Sequence, residues 1–243
     1  MDNIAKSLAE YSPTVNDYAT KINTALLPVA SIIILTFFLV DVLSWNKRLG
    51  QEGGGLTVQL WIEITLSYVI AFILVYYTAE IFDVIVYVFN QGIKLVNAVL
   101  PSKEINTDVD TSGISGWIFK QVVYLVGNGA DFVANISTNI LVFIRFFQMY
   151  ILKAVAPLIV AFFMSEQTRQ MAINFLKLFA AYAFQGLLLV IIVKLYPALV
   201  SDDLFKAGEG DWIPAFASIA KGIVYIFTLF GSQRLAKNLL NAM

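Results

Sequence analysis

The sequence predicts an all-α fold: a polytopic membrane helix bundle of five transmembrane helices, with six as second choice. The N-terminus lies outside, the C-terminus inside, and the third helix is long. Three observations predict it. Of 243 residues, 59% are hydrophobic and only 14% charged, against roughly 25% charged in an ordinary soluble domain. The apolar residues form uncharged runs at 22–40, 64–79, 132–144 and 178–193, and about 20 mostly apolar residues suffice to cross a bilayer. All four tryptophans, Trp45, Trp61, Trp117 and Trp212, fall at the ends of the spans, where aromatic belts anchor membrane helices.

Residues 1–21 mix acids and bases and lack the positive n-region, apolar core and cleavage site of a signal peptide, so they read as a retained extracytoplasmic tail. Residues 22–243 then form one transmembrane helical domain. The first span covers 22–43, with Pro28 in its first turns, where proline is tolerated. The second covers 61–90, and its helix continues to Leu100, before Pro101. Glu80 and Asp83 lie far enough from Trp61, at ~1.5 Å per residue, to reach the opposite surface as a wetted helix end.

The third span covers 117–150 and its helix extends to 164. Arg145 and Lys153 interrupt its hydrophobicity without the punctuation that a helical hairpin needs, so it reads as one helix that crosses once and projects inward, kinked at Pro157. The fourth helix starts at Ser165, a good N-cap with Glu166 suited to the helix dipole. It spans 170–196 and stops at Pro197. The fifth covers 212–232.

Placed N-out, this plan puts Lys47, Arg48, Arg145, Lys153, Arg169, Lys177, Arg234 and Lys237 inside, and Lys6, Lys21, Lys94, Lys103 and Lys206 outside. That is the bias of the positive-inside rule. A six-span plan moves Arg234 and Lys237 outside and ranks second for that reason.

Cysteine and histidine are both absent, which excludes disulfide frameworks, thiol catalysis and the usual zinc, haem and histidine-base sites. No catalytic constellation, cofactor site or metal site is expected. The net charge of −1 gives no global attraction to nucleic acid. The polar residues of the third helix are more informative. At roughly 100° per residue, Lys120, Asp131, Asn135, Thr138, Arg145 and Lys153 share a stripe about 80° wide. Such a stripe either packs inside the bundle or lines a hydrated seam, and intramembrane ionisable residues favour a functional reading. Lys221, well inside the fifth span, needs to snorkel or pair, and Asp131 is its candidate partner. Gly53, Gly54 and Gly55 form a turn with no phosphate-loop context.

The segment 150–186, YILKAVAPLIVAFFMSEQTRQMAINFLKLFAAYAFQG, resembles the TrbL-type polytopic inner-membrane subunit of type IV secretion and conjugation systems, especially the short forms of Gram-positive conjugative elements. The resemblance rests on Ala156-Pro157-Leu158, the turn Ser165-Glu166-Gln167-Thr168-Arg169, Ile173-Asn174-Phe175-Leu176-Lys177, and Gln185-Gly186. The large periplasmic domain of some members has no counterpart in the outer loop at 100–116, and a pilus-tip role is not expected.

The resemblance implies a scaffold or channel subunit in the bacterial cytoplasmic membrane, oligomeric and working with other channel subunits and cytoplasmic ATPases. Single-stranded DNA or a DNA–protein complex is the implied substrate of the machine. On the same reading Ser165, Glu166, Arg169 and Lys177 form an inner-face docking turn, and Asn174, Gln185 and Gly186 serve contacts between helices. The alternatives are a secondary transporter, whose internal repeats and paired broken helices are not found, and a stand-alone pore-forming membrane protein.

Overall fold

Local signals start the chain. Ser7 caps a four-residue helix, α1 (Leu8–Tyr11), in a capping box: its hydroxyl accepts from the Glu10 amide at 3.2 Å and the Glu10 carboxylate accepts from the Ser7 amide at 2.8 Å. The bond from the Ser7 amide, reinforced by the Ser7 hydroxyl beside it, holds the Glu10 carboxyl below its usual range. A 3-10 turn, Asp2–Ala5, precedes it. Pro13, at the first helical position where its missing N–H costs nothing, opens α2 (Pro13–Gln51). The rest follows as α3 (Val58–Tyr76), α4 (Thr78–Val99), α5 (Trp117–Ala161), α6 (Arg169–Ser201) and α7 (Ile213–Leu239). This computed structural model describes residues 2–51, 57–100, 117–165, 168–201 and 213–242, and among them there is no strand. The side chains of Lys120, Asp131, Asn135 and Trp117, and all of Glu166 and Trp212, lie outside the described part.

The long third helix of the sequence reading is α5, unbroken through Pro157 and 45 residues long. It is the centre of the bundle, packing on α2, α3, α4, α6 and α7. The main core joins Phe82, Val86 and Ile93 of α4 to Phe146 and Met149 of α5, Phe179, Ala183 and Leu189 of α6, and Leu229 of α7. A second cluster, with Ala30, Ile34, Tyr68, Val75 and Val160, fastens α2 and α3 to the end of α5. Polar residues inside the apolar runs are satisfied locally: the hydroxyls of Thr24, Ser31, Thr36 and Ser67 each donate to the carbonyl four residues back, at 2.8–3.0 Å.

Three described helices are long and apolar enough to cross a membrane, Pro13–Lys47, Ile136–Ala161 and Arg169–Leu199. A fourth crossing follows if the bent pair Trp61–Tyr76 and Thr78–Val99 counts as one. Only 11% of the α2 window is buried, against 56% in α5. Ile32, Leu39 and Leu43 therefore face outward with α3 residues such as Ile62 and Leu66, an apolar surface far larger than a water-soluble monomer tolerates. The chain is a multi-pass membrane protein.

Several expectations change. The second helix is broken, because Tyr77 leaves the helical region (φ −102°, ψ 21°) and the axes on either side diverge by 68°. The bend is pinned from two sides: the Thr78 hydroxyl donates to the Val75 carbonyl at 3.1 Å and Asn23 of α2 donates to that hydroxyl at 3.1 Å. The segment read as a polar tail is folded. Its residues from Pro13 onward already belong to α2, and Ile4 and Leu8 are buried in the main core.

At the α5–α6 turn, helix begins at Arg169 and not at Ser165, whose carbonyl accepts from the amides of Thr168 (3.1 Å) and Arg169 (2.8 Å). Thr168 and Arg169 reach back to the Phe162 and Phe163 carbonyls at 2.8 and 3.2 Å, occupying acceptors that the end of α5 would otherwise leave open. Pro197 does not stop α6, which continues to Ser201. A proline removes a single ladder bond, and packed membrane helices tolerate that loss.

Candidate functional site: a polar centre around the long helix

Two charged side chains of α5, Arg145 and Lys153, are among the largest fully buried groups in the protein, at 0% and 1% exposure. They stand eight residues apart and therefore on neighbouring positions of one face. A buried ammonium costs several kcal/mol unless it is paired and hydrogen-bonded. Lys153 meets that demand: its Nζ donates to both carboxylate oxygens of Asp83 on α4 at 2.8 Å and to Asn16 Oδ1 on α2 at 3.0 Å. The Lys153 carbonyl in turn accepts from Asn23 Nδ2 at 2.7 Å, the amide that also holds Thr78. The acid is the wetter partner, with 52% of its side chain exposed.

This corrects two expectations at once. Asp83 is an ion-pair partner as well as a half-wetted helix end, and Lys153 is buried in the bundle beside it. It lies level with Asp83 and Asn16, residues that the sequence reading assigns to the other side.

Arg145 sits where α4, α5, α6 and the N-terminal segment converge. Its Nη1 donates to the Ile4 carbonyl at 3.2 Å and its guanidinium lies 4.8 Å from the centre of the Phe146 ring. Gly186 of α6 makes the room, since a Cβ there would overlap the guanidinium. Two more side chains read main-chain carbonyls of the same segment: Asn90 Nδ2 donates to Lys6 O at 3.0 Å and Tyr150 Oη to Leu8 O at 2.6 Å. Tyr11 then stacks on Phe146, ring centres 3.9 Å apart and nearly parallel at 6°. Residues 4–11 are thus seated in the bundle by bonds to successive even-numbered carbonyls and one aromatic stack. Among the described residues, Arg145 Nε and Nη2, Asn90 Oδ1 and Gln185 Oε1 are buried without a hydrogen-bond partner.

The remaining candidates distribute as follows. Thr138 hydrogen-bonds Tyr225 of α7. Gln185 Nε2 donates to Ser232 Oγ at 3.4 Å, joining α6 to α7. Asn174 accepts from Gln170 at 2.9 Å within α6 itself and not from another helix. Lys177 is half-buried on α6 and Lys221 half-buried on α7, with the Lys221 carbonyl accepting from the Tyr196 hydroxyl. The Lys221–Asp131 pairing lies outside the described residues. Ser165 and Arg169 border a cavity with Trp45, and Trp61 stands exposed on α3.

Sequence reasoning missed Asn16, Asn23, Asp83, Asn90 and Tyr150 as members of this centre. One signal was present: Asn90 repeats the four-residue spacing of Phe82 and Val86, which places a polar amide on the buried face of α4.

The fold and the site define a class: a multi-pass α-helical membrane protein in which Arg145 and Lys153 of one central helix are buried in the bundle, with the N-terminal segment seated over them. A family comparison narrows the class. Residues 78–232, well over half of the chain, match the TrbL/VirB6 plasmid conjugal transfer protein family, and the chain belongs to that family. The match opens on Thr78, at the bend, and closes on Ser232, so it holds Asp83, Asn90, Arg145, Lys153, Gln185 and Gly186, while α1–α3 precede it. No match was found among curated proteins. The protein is a membrane component of a conjugal transfer system, and its neighbours are lipid and other transfer subunits.

Proposed function

We propose that the chain is a non-enzymatic scaffold or channel subunit of a type IV secretion machine. It builds an oligomeric base or conduit for conjugative DNA transfer in the cytoplasmic membrane, crossing five times with its N-terminus outside. The observation that carries the reading is the direction of two charges on α5. Lys153 and Arg145 turn into the bundle and are occupied there by Asp83, Asn16 and the Ile4 carbonyl, so a single copy presents them to no passage. A conduit for a large substrate then lies between copies, which meet through apolar faces such as that of α2 and α3. Cytoplasmic ATPases supply the energy, and the turn with Ser165, Glu166, Arg169 and Lys177 remains the proposed inner-face docking region.

Co-purification tests the proposal. Full-length protein solubilised from a conjugation-competent host is expected to bring down a transfer ATPase and other channel subunits. With no native cysteine, a single cysteine at the exposed Leu35 is expected to cross-link copy to copy. Purification as a lone monomer, without cross-linking from any of the exposed apolar faces, refutes it.

The bend at Tyr77 favours a second reading, because secondary transporters bind substrate at broken helices. Substrate-dependent uptake into proteoliposomes holding this chain alone would support that reading instead.

A further inference from the structure

A cavity of about 440 Å³ opens between the last turns of α2, the first half of α3 and the α5–α6 turn. It is remote from the polar centre, and Asp41, Trp45, Tyr68, Phe37, Met164 and Arg169 are among the residues that line it. Its two formal charges are opposite and prearranged. The Asp41 carboxylate accepts from the Tyr68 hydroxyl at 2.5 Å. The Arg169 guanidinium is held by the Phe163 carbonyl at 3.2 Å through Nε and lies 5.6 Å from the centre of the Phe163 ring, which leaves its Nη edge for another acceptor. Yet Asp41 and Arg169 do not pair with each other, and neither forms an ion pair with any other described residue.

The cavity also stands where two candidate spans end. Asp41 and Trp45 belong to the last turns of the span Pro13–Lys47, and Arg169 is the first residue of the span Arg169–Leu199. Trp45 is the kind of residue that anchors span ends at a membrane–water interface.

We infer that this cavity binds the zwitterionic phosphoethanolamine headgroup of a bilayer lipid, with the ammonium on Asp41 and Trp45 and the phosphate on Arg169. A primary ammonium offers three donors to a carboxylate and a cation to an indole face. A guanidinium edge takes phosphate oxygens in pairs. A phosphatidylcholine head keeps the charge but has no N–H for Asp41, and a phosphatidylglycerol head brings no cation and meets the Asp41 charge with its own. Phe37 and Met164 supply apolar wall for the glycerol end of the lipid.

The test is thermal melting of the delipidated full chain in detergent, titrated with short-chain phosphatidylethanolamine, phosphatidylcholine and phosphatidylglycerol, and with soluble phosphoethanolamine. Phosphatidylethanolamine is expected to raise the melting temperature at a concentration at least tenfold below phosphatidylglycerol, with phosphatidylcholine between them. Asp41→Asn, which still accepts from Tyr68, is expected to remove that preference, and Asp41→Glu to restore part of it. The wild-type ranking stands without any variant: an equal or stronger response to phosphatidylglycerol overturns the inference. So does a phosphatidylethanolamine preference that survives in a folded Asp41→Asn protein. A response to soluble phosphoethanolamine at the same concentration as the lipid overturns the assignment to a bilayer lipid.

Discussion

Replacing Asp83 with asparagine removes the counter-charge of Lys153 and leaves the packing almost unchanged. The ammonium is 1% exposed and keeps only Asn16 Oδ1 at 3.0 Å and whatever the new amide oxygen accepts. Removing one partner from a fully buried ion pair costs about 3–5 kcal/mol. With 52% of the Asp83 side chain exposed, water reaches the acid side of the pair, and screening lowers the expected loss to about 2 kcal/mol. For a chain of this size that is a fall of about 4–8 °C in melting temperature.

Lys153→Met removes the charge and leaves the half-wetted carboxylate, so its loss is of similar size. The double variant, neutral on both sides, is expected to be more stable than the two losses summed by at least about 1 kcal/mol. The assay is melting of detergent-solubilised protein, with membrane protein level as a second readout. Additivity within about 0.5 kcal/mol would mean that the two residues do not support each other, and the reasoning about the polar centre would fail.

Three further outcomes follow from the same geometry. Gly186→Ala puts a methyl on the Arg145 guanidinium, which is fully buried and cannot swing aside, so a loss of about 1–3 kcal/mol is expected; Gly231→Ala, where a Cβ meets nothing within 4 Å, is expected to leave the melting temperature unchanged or raise it. Tyr150→Phe deletes the bond to Leu8 O, about 1 kcal/mol, and is expected to speed thiol labelling of a cysteine introduced at Ala5; unchanged labelling would show that the hydroxyl does not hold the segment. The capping box depends on pH in a stated direction. The Glu10 carboxyl lies below its usual 4.5 in the folded chain, so its contribution is complete above that value and fades as the pH falls through the lowered folded value. The wild-type labelling rate at Ala5, divided by that of Glu10→Gln at the same pH so that the common thiolate fraction cancels, should therefore rise on acidification.

The long central helix was legible as one element despite Gly127-Asn128-Gly129, and Pro197 failed as a stop because a packed membrane helix loses one bond to a proline and keeps the rest. The break at Tyr77 was not legible. No glycine or proline marks it, and one of the bonds that pin it is tertiary, from Asn23. The seated N-terminal segment was hidden for a related reason: Arg145, Asn90 and Tyr150 read its carbonyls, and main-chain acceptors leave no trace in residue type.

Depth was the other weakness. Assigning Lys153 and Asp83 to opposite faces followed from counting residues along straight helices, which the 68° bend invalidates. With Lys153 and Arg145 moved into the bundle, the N-out proposal rests on Lys47, Arg48, Arg169, Lys177, Arg234 and Lys237, a narrower bias than the sequence alone suggested.

The central claim is that this chain is a working part of the transfer machine, and conjugation frequency tests it most directly. An in-frame deletion of its gene in a conjugation-competent host is expected to abolish transfer while leaving growth unaffected, and the wild-type chain supplied in trans is expected to restore it. Transfer at the parental frequency in the deletion strain would contradict the account.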